Sequence, residues 1–292
     1  MHLPTILIFL VFTLCSSLVP AQAQTLRIDL ARISAAFSIL PHDMTLSPDR
    51  SLLLFTDTGQ DRVLILDPDE LTIKGVIGVG ELSLPHDVAF DANGRLLVAD
   101  SGNDRIAIYE MNTALNTAQL VETIDDLDGP EGIAVGPEGV VYIAVTLEDR
   151  VISWRDGKII TSTSSALGID LDQPHDIEVD ESGDETMLVI TDPGNNRLLV
   201  FDLNLKAKRE ILASDPPLYE AKYVSIDDHG RLFVADQYNN AVRVFDRDAK
   251  QIAMFARQHV KLPEGILAVG DRIWVADTEG GRVLLYRLQS TP

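Results

Sequence analysis

The sequence predicts an all-β fold, a six-bladed β-propeller of four-stranded blades, because six units repeat along it with a period of about 44 residues and each unit is a run of short strands. Three of the units open on the same triplet, Pro-His-Asp, at 41–43, 85–87 and 174–176. Identical spacing within a repeat implies identical placement in the fold, so His42, His86 and His175 are expected to face one shared space.

The units begin at Leu40, Leu84, Gly129, Gln173, Glu220 and Leu262. Unit two, LPHDVAFDANGRLLVADSGNDRIAIYE, shows the pattern most fully. A first strand (Asp87–Phe90) is followed by an Asp-x-x-Gly turn, a second strand (Arg95–Ala99), a Gly/Asn-rich turn and a third strand (Arg105–Tyr109). A less regular fourth run, such as Gln119–Ile124 or Arg209–Leu212, completes the blade. No helix of useful length is expected. Unit six stops after its third strand, at Tyr286–Leu288, and Leu26–Ile33 is the obvious donor of the missing outer strand. That pairing would close the ring and remove its open edges.

Ahead of the units lies an apolar run from Ile6 to Val19, then Ala21-Gln22-Ala23, the small-x-small pattern of a leader-peptidase site. Residues 1–23 are expected to be a signal peptide and 24–292 a single propeller domain, exported to the periplasm or beyond, with no membrane span once the leader is removed. Cys15, the only cysteine, would leave with the leader, so thiol catalysis and disulfides are not expected. A net charge of −21 repels phosphate backbones, which argues against a nucleic-acid partner. The expected partner is a small molecule, peptide or protein bound at a propeller face.

Units built on Pro-x-(Gly/Asp)-(Val/Ile)-Ala, Asn-Gly-Arg-Leu-x-Val-Ala-Asp and Asn-x-Arg-(Ile/Val) resemble NHL repeats through nearly the whole mature chain. The resemblance implies the fold and leaves function open, since such propellers serve as enzymes, receptors and platforms.

In a propeller the innermost strand of each blade lines the central channel. The residue after the repeat's proline reads His42, His86, Glu131, His175, Lys222 and Glu264 around the ring, all ionisable. Imidazole and carboxylate are ligands for a divalent metal, zinc first. Ligands from alternate blades surround an ion most naturally, so His86 and His175 are the leading pair, with Glu264 or His42 as third ligand. Glu131 and Lys222 are expected as further channel lining. Asp43, Asp87 and Asp176 are expected to orient the imidazoles. The plain alternative is triplet duplication, with imidazoles bonded to Asp and water and no metal.

The triplets also resemble, more weakly, those of the peptidyl-hydroxyglycine amidating lyase, a zinc propeller. That resemblance implies Tyr238, in Ala235-Asp236-Gln237-Tyr238-Asn239-Asn240, as a catalytic base; otherwise it is a solvent-facing ring. Three functions stay open: a ligand- or protein-binding module with a metal or polar cluster at the channel mouth, a metal-dependent lyase or hydrolase, and an interaction platform. Gluconolactonase-type lactonases fit Glu131 and Glu264 loosely, and the Pro-Glu-Gly triplets at 130–132 and 263–265 resemble those of streptogramin-type lyases.

The Asp ending each second strand (Asp57, Asp100, Asp192, Asp236, Asp277) is expected to cap the following turn, with Arg62, Arg105, Arg150, Arg197 and Arg282 pairing to such carboxylates. Blade three has Val145 instead, so its turn is expected to be built differently.

Overall fold

The computed structural model describes residues 26–289 except 113, 115 and 214. The leader expected at 1–23 lies outside the described residues. No described helix is long and apolar enough to cross a membrane; only short 3-10 turns interrupt the strands.

Six four-stranded antiparallel sheets form the blades, the first five running in chain order from the innermost strand outward and the sixth taking its outermost strand from the N-terminal segment. The innermost strands are Pro41–Leu46, Pro85–Phe90, Pro130–Val135, Ile177–Asp180, Ala221–Ile226 and Pro263–Val269. Second strands such as Leu53–Asp57 and Leu232–Asp236 are buried at every residue, whereas fourth strands such as Ile73–Ile77 carry an exposed face. The difference follows from position: a second strand is covered on both faces by neighbouring blades, and a fourth lies at the rim.

The hydrophobic core is divided among six clusters, one between each pair of adjacent blades. Leu54, Ile65, Val98 and Tyr109 join blades one and two, for example, and Val200, Ile211, Leu232 and Phe245 join blades four and five. The sixth cluster packs Phe55 and Leu64 of blade one on Trp274 and Leu285 of blade six, so the ring is closed.

Closure is made as the sequence predicts. Arg27–Ile33 pairs antiparallel with Arg282–Gln289 as the outer strand of blade six. Trp274 Nε1 donates to the Pro68 carbonyl (2.7 Å), and Arg32 and Arg287 reach Glu70 and Asp69 of blade one (2.9 and 2.7 Å).

The second strands of blades one to five each end in a 3-10 turn followed by a residue in the left-handed conformation: Asp61, Asp104, Asp149, Asn196 and Asn240, all with φ near +50°. These side chains bond forward. Asp61, Asp104, Asp149, Asn196 and Asn240 accept the backbone N–H of Leu84, Gly129, Gln173, Glu220 and Leu262, each in the next blade. The turn thus fixes the entry of the next innermost strand.

The recurring Asp has a different task from the one its sequence context suggests: it makes no cap bond to the turn that follows. Instead it accepts one backbone N–H from the loop entering its own blade, as Asp100 does from Ser83 (2.7 Å), and one arginine Nε–H, as from Arg105 (2.7 Å). Arg62, Arg197 and Arg282 repeat the pairing with Asp57, Asp192 and Asp277. In blade five the partner of Asp236 is Arg243, supplied by the third strand two residues further on than in the other blades. Blade three keeps the same 3-10 turn and left-handed Asp149 without the Asp, and Arg150 pairs with Glu148 (2.8 Å). Only the ion pair changed there, and the turn's backbone did not.

Candidate functional site

At the start of the innermost strands, or just ahead of it in blade four, the second triplet residue stands near the propeller axis. There the structure gathers His42, His86, Glu131, His175 and Glu264, with Lys222 close enough to act electrostatically on four of them. The His42 and His86 rings are 4.6 Å apart between centroids, and His86 and His175 are 6.1 Å apart.

Two subsets form within the ring. His42 Nε2 makes an ion-pair contact with Glu264 Oε2 (2.6 Å), its Nδ1 meets Thr58 Oγ1 (2.5 Å), and Gln237 Nε2 donates to Glu264 Oε1 (2.6 Å). On the other side Glu131 stands between two imidazoles, with His175 Nε2 at 3.1 Å and His86 Nε2 at 3.7 Å. Glu264, expected beside His86 and His175, is thus engaged by His42 and Gln237, while Glu131 is the carboxylate beside that pair. Among the described residues no three ligating side chains converge in a way that would hold a metal ion.

Electrostatics sharpen this division. Burial, with the His42 charge second, pushes the His86 ring down to about 3, and burial followed by Lys222 puts His175 well below the usual imidazole range. Both rings are neutral at pH 7. His86 Nδ1 lies 2.9 Å from the Leu84 carbonyl, which only accepts, so the proton sits on Nδ1 and the Nε2 lone pair faces Glu131. Burial raises the Glu131 carboxyl against the opposing pull of Lys222. Burial also acts to raise Glu264, but His42 and Lys222 outweigh it and hold that carboxyl below its ordinary value.

The Lys222 ammonium makes no ion pair or hydrogen bond among the described residues, and His175 Nδ1 and the Tyr223 hydroxyl are buried without a partner. Donors and an acceptor are therefore left over at the axis.

Tyr223 is a functional-site residue that sequence reasoning missed. It stands at the third triplet position, where the other blades carry Asp or Gly, and it is fully buried with its ring 4.8 Å from His175 and 6.4 Å from His42. Burial, with Glu264 next, pushes its phenol up. The signal was in the column: one aromatic ring among Asp43, Asp87, Gly132, Asp176 and Gly265. Gln237 and Thr58 were missed too. Both stand directly after the recurring Asp, a position whose side chains reach the next blade: Thr58, Ser101, Thr146 and Thr278 donate to the carbonyls of Pro85, Pro130, Pro174 and Pro41.

The triplet Asp residues do not orient the imidazoles. Asp87 accepts from Val88 N and from Ile133 N of blade three (2.5 Å each), and Asp176 from Ile177 N and Val224 N of blade five (2.7 and 2.8 Å). They stitch blades together through these backbone N–H groups. Asp43, Asp176 and Glu178 are raised by burial and by neighbouring carboxylates, and Asp43 bonds Asp87 side chain to side chain. In the Pro-Glu-Gly blades the glycine makes the equivalent contact: a β-carbon at Gly132 or Gly265 would overlap the backbone carbonyl of His175 or His42.

Tyr238 lies beside this well and does not join it. Its ring is 49% exposed and packs on Tyr219 at 4.9 Å between centroids. The pair belongs to a larger apolar rim: Leu40, Leu84, Leu147, Leu167 and Ile169 are all exposed in the loops and turns at the same end of the blades, Leu147 at 69%. The channel mouth is a polar well inside an apolar collar.

Comparison with known proteins places this architecture. A streptogramin B lyase structure is 16% identical over 93% of this chain and 90% of its own, with a TM-score of 0.63. A catalytically inactive His-to-Ala variant of virginiamycin B lyase from Staphylococcus aureus, solved with quinupristin, is 12% identical over 90% and 100% (TM-score 0.62). An auxiliary nutrient-binding protein from Bacteroides thetaiotaomicron is 11% identical over 87% and 70% (TM-score 0.69). At these identities the likeness is one of fold. No curated protein matches the chain. The family model described as lactonase, 7-bladed beta-propeller, matches residues 71–269, more than half of the chain, and the protein belongs to that family, carrying its propeller as a ring of six blades.

Proposed function

We propose that the channel mouth binds a small amphipathic ligand, with its polar group in the axial well and its apolar part on the collar. The observation that carries this reading is the unused bonding capacity at the axis: the Lys222 ammonium and the buried His175 Nδ1 and Tyr223 hydroxyl, all inside a ring of exposed apolar side chains. A site that needed only to hold the blades together would leave no polar atom unpaired at its centre. Sites for small molecules combine an apolar lining with a few convergent polar groups, which is the arrangement here. The NHL-type repeat and the Ala21-Gln22-Ala23 motif suit an exported binding protein; an N-terminus at Gln24 in the mature protein, read by mass spectrometry, would support export.

The family description and the lyase neighbours favour cyclic esters as the first ligands to try, with quinupristin and δ-dodecalactone as probes. Binding is measured by calorimetry on the wild type, on Lys222→Met and on the collar variant Leu147→Ser. The expected result is saturable binding of at least one probe, weakened about tenfold by either substitution, since a charged hydrogen bond or a buried apolar contact is each worth about 1.5 kcal/mol. Binding of neither probe, or binding indifferent to both substitutions, overturns the reading.

A second reading, turnover, rests on Glu131. A carboxylate 3.1 Å from a neutral imidazole in a half-buried well is the geometry of a general acid–base pair, with His175 and Glu131 exchanging the proton. Product appearing by mass spectrometry in the same incubations, and lost in Glu131→Gln while binding persists, separates enzyme from binder. A metal, zinc first among them, would have to draw His86, His175 and Glu131 together. A stoichiometric ion in purified protein, lost in His86→Ala, would establish one.

A further inference from the structure

Toward the face opposite the channel mouth lies a cavity between two blades. Innermost strand Ile177–Asp180 runs from the His175 end of blade four to the other end of the blade, where Asp180 meets a cavity of about 230 Å³ between blades four and five. Its floor is apolar: Met187, Val189, Val200, Ile211 and Leu232. Part of that floor is the interblade core itself, opened to solvent at one end.

The rim is basic, which is unexpected in a chain of net charge −21. Lys208 is paired with Asp202 (2.6 Å), but Arg209 and Arg247 have no carboxylate within ion-pair distance among the described residues. The arginines of the recurrent turns, from Arg62 to Arg282, are each paired with an acid. Both rim arginines are instead held by backbone carbonyls: Arg209 Nη2 donates to the Arg247 carbonyl and Arg247 Nε to the His229 carbonyl, 3.1 Å each. Those bonds orient each guanidinium and leave its other N–H donors free.

Gly230, at φ +70°, lets Arg247 lie close over the backbone: a β-carbon there would overlap Arg247 Nε. Two acids share the rim, Asp180, which accepts from Ser182 N at 3.0 Å and from the Ser182 hydroxyl, and Glu185; with Lys208, Arg209 and Arg247 beside them the lining stays net positive. An apolar slot capped by two fixed, acid-free guanidiniums is complementary to an apolar chain ending in a carboxylate.

We propose that this cavity binds a medium-chain carboxylate, tail on the blade-four and blade-five floor and head group between Arg209 and Arg247. The site is independent of the channel mouth and does not rest on the function proposed for it.

Calorimetry of the protein with octanoate tests it, with octanol, octylammonium and acetate as controls. Octanoate is expected to bind saturably, one per chain, and each control at least tenfold more weakly, because each lacks either the charge, its sign or the tail. The double variant Arg209→Gln, Arg247→Gln should weaken octanoate at least tenfold with an unchanged melting temperature, since both side chains are exposed. Lys222→Met, in the other face, should leave octanoate binding as it is. Absence of saturable binding, equal binding of octanol, an unaffected double variant, or loss in Lys222→Met would each overturn the proposal.

Discussion

His42 Nε2 stands 2.6 Å from Glu264 Oε2, so the first and last blades are joined at the axis as well as at the rim. The outer joint is a β-ladder and the inner one a buried charge contact supported by Gln237. Removing one member of a buried pair leaves the other uncompensated, at a cost of about 3 kcal/mol. His42→Ala should therefore lower stability by about that amount in urea titration, and adding Glu264→Gln should restore part of it. A single substitution of either residue that left the midpoint unmoved would show that closure rests on the rim alone.

Closure at the rim has its own test. The strand Arg27–Ile33 supplies the fourth strand of blade six and, through Ile28 and Leu30, covers part of the interface between blades five and six. A chain lacking residues 24–33 exposes Arg282–Gln289 as an open edge. The expected outcome is a lower melting temperature together with aggregation that grows with concentration, read by light scattering.

Acid should weaken the well through His86. Its ring titrates at about 3 in the fold against 6.5 for the free side chain. The folded value lies below the unfolded one, so between them the unfolded chain binds more protons. The stability tied to this ring is complete above 6.5 and falls as pH drops toward 3, at up to about 1.4 kcal/mol per unit. Glu131, raised by burial, works in the opposite sense, gaining stability as pH falls. Comparing wild type with His86→Gln isolates the imidazole: the wild type's advantage at pH 7.5 should shrink by about 2 kcal/mol at pH 5. A pH-independent difference would mean that the His86 ring titrates in the fold as it does in the unfolded chain.

Gly132→Ala separates packing from backbone freedom. A β-carbon there would overlap the His175 carbonyl and push blade four away from blade three at the axis, whereas at Gly94, a turn glycine with φ +76°, it would meet nothing within 4 Å. Gly94→Ala should cost about 1 kcal/mol of left-handed strain, and Gly132→Ala clearly more, since the obstacle is backbone. Equal costs, measured by denaturant titration, would refute the close approach.

Architecture was legible in the sequence because it is repeated. Six copies of one pattern expose the strand order, and the missing fourth strand of the last copy points to Leu26–Ile33. The column His42, His86, Glu131, His175, Lys222, Glu264 was legible for the same reason. Its internal pairing was not, since partner choice depends on side-chain reach across the axis: alternate-blade symmetry favours Glu264 for His86 and His175, while the structure gives them Glu131 and gives Glu264 to His42. Residues that break a column were harder to read. Tyr223 and Gln237 each look like a lapse in the repeat until the blades are assembled around them.

Tyr223 offers the most discriminating substitution at the axis. Its ring fills space between His42 and His175, and its hydroxyl is buried with no hydrogen-bond partner among the described residues. Burying an unpaired hydroxyl costs about 1–3 kcal/mol, and Phe keeps the ring while removing that group. Tyr223→Phe should thus stabilise the free protein by about 1 kcal/mol in denaturant titration. If the hydroxyl serves the ligand, the same variant should bind the channel-mouth probes more weakly, and opposite effects on stability and affinity are the signature of a polar group kept for binding. Loss of stability on removing the hydroxyl would instead show a structural bond to Tyr223 and withdraw it from the site.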